Sequence, residues 1–497
     1  YLRHAGVMGL AGIGDVTALL RHAEDASPAV RMGVLLALRR LARPEIARFL
    51  HDGEPLIVVE AARAIHDVPI TDAMDDLAGL INTRPITDDA LLRRVLNANY
   101  RLGGVERAAA LAIFARNNDA PADRRAEAVE MLTHWAQPSA RDRVHNMWRP
   151  IDPRPAQEAV AALSPIINEL LQSNAEPVRR NAVLAAAHHR LRHAGDTLLA
   201  IVVEGRGHAD TQVAALQALA TLEHPRLGEA VRAAVQSKAD AVRGEGYRQL
   251  GAINPVDAVA ALRQVLDQGN TADQRNALSA LAAMKGAEAD RVLAAWMDKL
   301  LAGEVAPVLQ LDVLEAAQAR NTPELASRLS RYQASLDGND RLARFRVALH
   351  GGNADNGRRI FFEKIEVNCQ RCHTVAGKGG GEVGPDLTKI GALRDRDYLL
   401  RAIVDPNADI ADGYEFLTVQ TTFGDVINGR FVSETETELR LNVAGEGEVV
   451  IAREDIHERS GTQSSMPTNL IDMLKPTELR DLVEFLAQQK GGEQTNH

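Results

Sequence analysis

The sequence predicts a mainly α protein in two parts, a long stack of helix pairs and a smaller C-terminal domain with a short antiparallel β insert. Three observations predict it. A ten-residue helical segment with arginine at its second position recurs through the first two thirds of the chain. Aromatic residues make up only 4% of a chain that is 45% hydrophobic, which is the composition of helices packed through small and branched aliphatic side chains. The texture then changes after GGNADNGRR at Gly351, and both cysteines lie beyond that point.

The repeats come first along the chain. LRHAGVMGLA from Leu2 aligns with VRMGVLLALR from Val30, VRRNAVLAAA from Val178, TQVAALQALA from Thr211 and VRGEGYRQLG from Val242. DRRAEAVEML from Asp123 and QRNALSALA from Gln274 extend the series. Arginine stands in register at Arg3, Arg31, Arg124, Arg179, Arg243 and Arg275, with Gln212 as the exception. Spacings of about 28 to 34 residues, with turn formers ahead of several copies, give a helix, a short turn and a second helix per copy. Apolar residues recur at helical spacing, so each helix carries one stripe to bury. One pair cannot bury its stripes alone, and stacked pairs form a continuous core. The pattern resembles HEAT repeats, the family of paired-helix solenoids, over roughly residues 1–345. The recurring arginine is expected to be structural, tying adjacent repeats together.

One region breaks the period. THWAQPSARDRVHNMWRPIDPRPAQ, from Thr133, holds four prolines and two of the three tryptophans, and the interval from Arg124 to Arg179 is 55 residues. Two readings compete for this loop. Either Trp135 and Trp148 pack it onto its own repeat, or the loop is exposed and carries a contact surface. His189 and His193, with His188 alongside, have a spacing that could clip a metal, but without a carboxylate or cysteine they read as a polar helix face. No nucleophile elbow, phosphate loop or zinc-protease motif occurs in residues 1–345.

Composition narrows the partners. A net charge of −10 and a pI near 5.9 argue against nucleic acid, and no basic block with interleaved aromatics occurs. No run of about 18 apolar residues is present, so no membrane span is expected.

The chemistry is concentrated in NCQRCHTVAGKGGGEVGPDL, from Asn368, which holds Cys369 and Cys372, the only two cysteines of 497 residues. Cys-x-x-Cys-His lets two thiols add across the two vinyl groups of a haem from one helical turn, and His373 then lies under the iron. A structural zinc site would need a second ligand pair that no other cysteine supplies. A thioredoxin-like pair would need a βαβ setting, and a disulfide across two residues would staple almost nothing.

Around this motif stand Gly357 and Phe361 of GRRIF, the GPDL segment at Gly384, AIVDPNADIADGYE from Ala402, and Met466-Pro467 ahead of a last helix that Pro476 opens. Leu479, Leu482, Val483, Phe485 and Leu486 form the apolar stripe of that helix. On these residues the part from about 352 to 490 resembles a class I cytochrome c. It is more narrowly similar to the haem-binding domain of large planctomycete-type HEAT and dehydrogenase proteins. The resemblance implies one covalent haem c, thioether bonds at Cys369 and Cys372, axial ligation by His373, a Pro385 carbonyl that accepts the imidazole N–H, and Met466 as sixth ligand. Met473 and His457 compete for the last role. Met473 is expected in the core near the final helix and His457 exposed after a strand, whereas Pro467 stiffens the backbone at Met466.

His373 and Met466 are 93 positions apart, more than a compact haem fold requires. The extra chain from Tyr414 alternates at period two, with turn signals at Phe423-Gly424-Asp425 and Ala444-Gly445-Glu446-Gly447. It predicts a meander of about four strands that shields the Met side of the haem or presents a partner surface. The expected divisions are repeats over 1–350, a haem domain over 351–412 and 457–490 with the β insert at 413–456, and a disordered tail over 491–497.

The function expected is electron transfer outside the cytoplasm, in the periplasm or an equivalent compartment, because haem is attached to such motifs there. No catalytic residue is expected in this chain. The expected partners are an electron acceptor and a redox donor such as a sugar or alcohol dehydrogenase, with the repeats as scaffold or docking surface. The rivals are a scaffold whose haem is a sensor or structural element, and a haem peroxidase. YLRHAGVMGLA opens in mid-repeat, so the chain is expected to continue a longer protein. In the resembling family the upstream part is often a β-propeller dehydrogenase.

Overall fold

The computed structural model describes residues 2–83, 85–380, 383–443 and 445–491, and these fall into two compact units, 1–253 and 254–497. The tail beyond Gly491, the Ala444 turn position, Tyr1 and the Arg3 side chain lie outside the described residues.

In the first unit a series of helices stacks in chain order. Pro28–Arg40 packs on Pro55–Asp67, which packs on Asp89–Leu102; Ala122–Thr133, Glu176–His188, Ala209–Thr221 and Asp240–Ile253 follow, each against the next. Their partners, such as Gly195–Val203 and Leu227–Val235, form a second layer. Ala61, Ala98, Ala128, Ala182 and Ala215 are fully buried, and these small side chains let the helices approach closely. Pro28 and Pro55 open their helices at the first turn, where a missing N–H costs nothing.

The recurring arginine has a specific task. Arg31, Arg179 and Arg243 each donate to the carbonyl six residues upstream, at 2.8, 2.9 and 2.8 Å, and Gln212 donates to Gly207 at 3.0 Å. Its first role is therefore to fasten the turn in front of its own helix. The expected link between repeats is built on top of this. Arg31 forks onto Asp52, and Arg179 holds Glu176, whose carboxylate accepts from the Thr211 hydroxyl and the His208 amide of the next repeat. Burial alone would raise the Glu176 carboxyl, but Thr211, Arg179 and the His208 amide outweigh it and hold it at about 2.

The histidine pair does not share a helix. That helix ends at His188, and His189 and His193 turn their Nε2 atoms to the carbonyls of Leu132 and Ser164, at 3.0 and 2.9 Å. Both are satisfied by backbone.

In the second unit, helices from Pro255–Gln268 to Pro323–Ser335 lead through the 3-10 turn Ala343–Ala348 into the last domain. Ala348 and Leu349 belong to the same core as Phe361, Leu400, Leu482 and Phe485. Arg480 of the C-terminal helix donates to Asp312 at 2.8 Å, and Arg275 stands 3.3 Å from the same carboxylate. The last repeat and the C-terminal domain therefore share a core and a charge cluster.

Among the described residues the expected meander of four strands is present, as β1 (Glu415–Thr421), β2 (Val426–Glu434), β3 (Glu438–Val443) and β4 (Gly447–Ala452), and the sheet extends beyond the expected insert through β5 (Ile456–Arg459) and β6 (Gln463–Ser464). β1 to β4 form the meander, while β5 and β6 return to pair with β1. The two returning strands are too short to show alternation in sequence. Leu417, Val419, Leu439, Leu441 and Ile451 line the buried face.

Candidate haem-binding site

The C-terminal domain is built around one close helix crossing. Ala354–Glu363, capped by Asn353, crosses Pro476–Ala487 at Gly357, where a Cβ would lie 2.0 Å from the Asp481 carbonyl oxygen. Only glycine fits there. Phe361, Phe362 and Phe485 stack beside the crossing, with ring centroids 4.9 to 6.3 Å apart.

The cysteine segment follows. Asn368 takes a left-handed conformation and starts the turn Cys369–Arg371, and the His373 amide donates back to Cys369 at 3.1 Å. Both cysteines are free and half-buried, and Cys369 leans on the core, where burial pushes its thiol up to about 11. The imidazole of His373 donates from Nδ1 to the Pro385 carbonyl at 2.9 Å, which leaves the Nε2 lone pair available. Burial lowers the affinity of this imidazole for a second proton and the Pro385 bond partly opposes that.

The segment that carries Pro385 is fastened to the cysteine turn at several points. Gly384 donates to the Cys372 carbonyl at 3.0 Å and Leu387 to Thr374 at 2.8 Å. Asp386 accepts from the Thr374 hydroxyl at 2.9 Å and the Thr388 amide at 2.7 Å. A Cβ at Gly384 would stand 2.7 Å from the imidazole, so the backbone can pass the ring this closely only as glycine. The Asp386 clamp was not read from the sequence; its only signal was the Asp two positions after the motif glycine.

The structure also brings the Met466 loop to this segment. The Ser465 hydroxyl donates to the Val383 carbonyl at 3.4 Å, and the Ser464 amide donates to Asn407 at 2.8 Å. β6 pairs with β1 through Glu415 and Ser464, so the returning strand ends one residue short of Ser465 and fixes where the loop begins. Met466 is half-buried against the core that Cys369 also touches. Met473 differs from its expected place: it lies 38% exposed at the end of the turn Leu470–Met473, because Ile471 of that turn and Leu474 after it pack against the core. His457 is exposed on β5.

These residues fit a covalently held haem c. Two free thiols precede an imidazole whose Nδ1 is already bonded to a carbonyl. Among the described residues neither cysteine belongs to a cluster able to hold a bare metal ion. Cys369 and Cys372 would carry the thioether bonds, and His373 and Met466 are the side chains that would hold the iron.

A further polar cluster escaped sequence reading because its members are 76 and 79 residues apart: His66, Asp142 and His145, which could hold a metal ion. The two buried members are already satisfied. His66 is bonded at Nδ1 to Asp67 and at Nε2 to Asn97, both at 2.8 Å, and Arg101 and Arg149 stand 3.4 and 3.5 Å from Asp142. Two guanidinium groups against one carboxylate leave no room electrostatically for a cation.

Two family models match parts of the chain. The model of HEAT repeats matches residues 195–282, and the model of cytochrome c matches residues 354–423. No curated protein matches the sequence. Among solved structures, the E. coli protein YibA is similar at 16% identity over 60% of this chain and 98% of that one, with a TM-score of 0.35. A Kap121p mutant is similar at 14% identity over 71% of this chain and 47% of that one, with a TM-score of 0.38. The two matched stretches place HEAT repeats ahead of a C-terminal cytochrome c domain, a domain type that implies haem c and electron transfer.

Proposed function

We propose that this protein is an extracytoplasmic electron carrier with one covalent haem. In this reading Cys369 and Cys372 would hold the group covalently, and His373 and Met466 would supply ligands to its iron. The reading rests above all on the His373–Pro385 bond of 2.9 Å behind Cys369-x-x-Cys372. When bound, haem supplies a one-electron ferric/ferrous couple. The chain's own residues orient the imidazole through Pro385, clamp the proline segment through Asp386, and place the Met466 loop through Ser465 and β6. With His373 and Met466 both available to hold the iron, no place on it would be left for substrate, which favours electron transfer over transformation of a bound molecule. The repeats serve as scaffold or docking surface.

The donor proposed is a sugar or alcohol dehydrogenase, joined to this chain or bound by it, and the acceptor is a second redox protein. Stopped-flow reduction by such donors, with the midpoint potential, tests this. Fast reduction at a potential suited to an organic donor supports the carrier. A haem that no donor reduces would favour the second reading, a scaffold with a sensing or structural haem, which the length of the repeats favours.

Replacing Met466 with alanine is expected to remove the thioether–ferric charge-transfer band and to lower the midpoint potential by on the order of 0.2 V, within the roughly 0.8 V that axial ligation spans. Redox titration of the purified variant checks it. An unchanged spectrum and potential would pass the role to Met473 or His457.

A further inference from the structure

The two tryptophans of the loop that breaks the repeats differ, one packed onto its own repeat and one exposed. Trp135 is fully buried, with the Arg154 guanidinium over its ring at 3.6 Å, while Trp148 is 71% exposed. Between them the loop is held rigidly. Asp142, buried, accepts from Asn97 at 3.0 Å and from the Val144 amide at 2.9 Å. Arg101 and Arg149 reach the carbonyls of Arg149 and His66, at 3.1 and 2.9 Å.

This clasp leaves a cavity of about 540 Å³ between the loop and the helices beneath it, lined in part by Arg93, Arg141, Arg143, Ser139 and Asn146. Two carboxylates also line it, and both are committed. Glu127 pairs with Arg124 and lies 3.7 Å from Arg143; Asp142 is engaged as above. Arg93 and Arg141 differ. Each donates one N–H to a loop carbonyl, of Arg143 at 2.7 Å and of Asn146 at 3.1 Å, and among the described residues neither has an ion-pair partner. Two guanidinium groups without counter-ions, beside a hydroxyl and an amide, are suited to an oxyanion.

Trp148 belongs to the same face. It pairs with Arg141 in a short antiparallel ladder, through Asp142 N–H to Met147 at 2.9 Å and Arg149 N–H to Ala140 at 2.8 Å. Residues directly opposite in such a pair project to the same side, and most closely in a pair of this non-bonded kind. A flat apolar surface, the indole of Trp148, therefore stands beside Arg141, one of the two unpaired arginines that line the cavity.

We propose that the loop is a binding site for a small cyclic organic acid, whose carboxylate or sulfate group pairs with Arg93 and Arg141 and whose ring lies on the indole of Trp148. The site lies wholly within residues 1–253 and does not depend on the haem. Calorimetric titration of the holoprotein with glucuronate, glucose and inorganic sulfate tests it. Glucuronate is expected to saturate the site, sulfate to bind more weakly, and glucose not to bind. Arg141→Gln and Arg93→Gln should each weaken glucuronate about tenfold or more, as loss of a charged hydrogen bond does. Trp148→Ala should weaken glucuronate and leave sulfate unchanged. Arg141 and Trp148 are exposed, so those two variants keep the fold, with the haem spectrum and circular dichroism as checks. Absence of saturation at roughly 10 mM, weaker than any useful recognition, overturns the proposal. So does glucuronate binding that survives the arginine changes, or a Trp148→Ala protein that binds both anions as before.

Discussion

His373→Ala protein, matured in a host competent for cytochrome c assembly, is expected to emerge almost without haem. The imidazole bonds to the Pro385 carbonyl at 2.9 Å, and its Nε2 is the atom left free for iron. Its removal loses the axial ligand and also the guide that sets the proline segment. The Thr374–Asp386 and Gly384–Cys372 bonds remain, so the apoprotein should still fold around its phenylalanine core. The haem-to-protein ratio by pyridine haemochrome assay checks this, and a ratio equal to wild type would exclude His373 as a ligand.

A second large effect is expected far from the thiols. Gly357→Val places a Cβ 2.0 Å from the Asp481 carbonyl oxygen and 2.6 Å from the Phe485 Cβ. The obstacle is backbone, which cannot rotate away as a side chain would. The two helices must part, and the ring cluster of Phe361, Phe362 and Phe485 opens with them. The cost should reach the upper end of overpacking, about 3 kcal/mol, or roughly 10 °C in the unfolding midpoint of the C-terminal domain. Gly338→Ala is the control, because nothing stands within 4 Å of a Cβ there and the change should be nearly neutral. Differential scanning calorimetry of both variants makes the comparison.

The readable parts of this molecule were those written in adjacent residues. Cys369, Cys372 and His373 declare themselves by spacing, and the repeats by an arginine at one register position. The stripe of Leu479, Leu482, Val483, Phe485 and Leu486 was legible for the same reason, since helical period maps directly onto a buried face. Other features depend on what the chain meets after folding. Arg480 sits within that stripe's helix and is buried because Asp312, 168 residues earlier, faces it. Met473 has the composition of a core residue, yet its neighbours Ile471 and Leu474 pack against the core instead. β5 and β6 carry too few residues to reveal a period, and their place is set by unpaired edge groups of β1. The arginine register was legible as structural, but its bond to the carbonyl six residues back was not, because a side chain's acceptor is fixed by the turn geometry rather than by the arginine's position.

The central claim is that haem is bonded covalently to Cys369 and Cys372. The most direct test is the intact mass of the matured 497-residue protein, read before and after acid-acetone extraction. The account predicts a mass above that of the sequence by one haem, unchanged by extraction, with the added mass on the peptide that contains both cysteines. A protein that gives up its pigment to the solvent, or that matures in a competent host at the bare sequence mass, would contradict it.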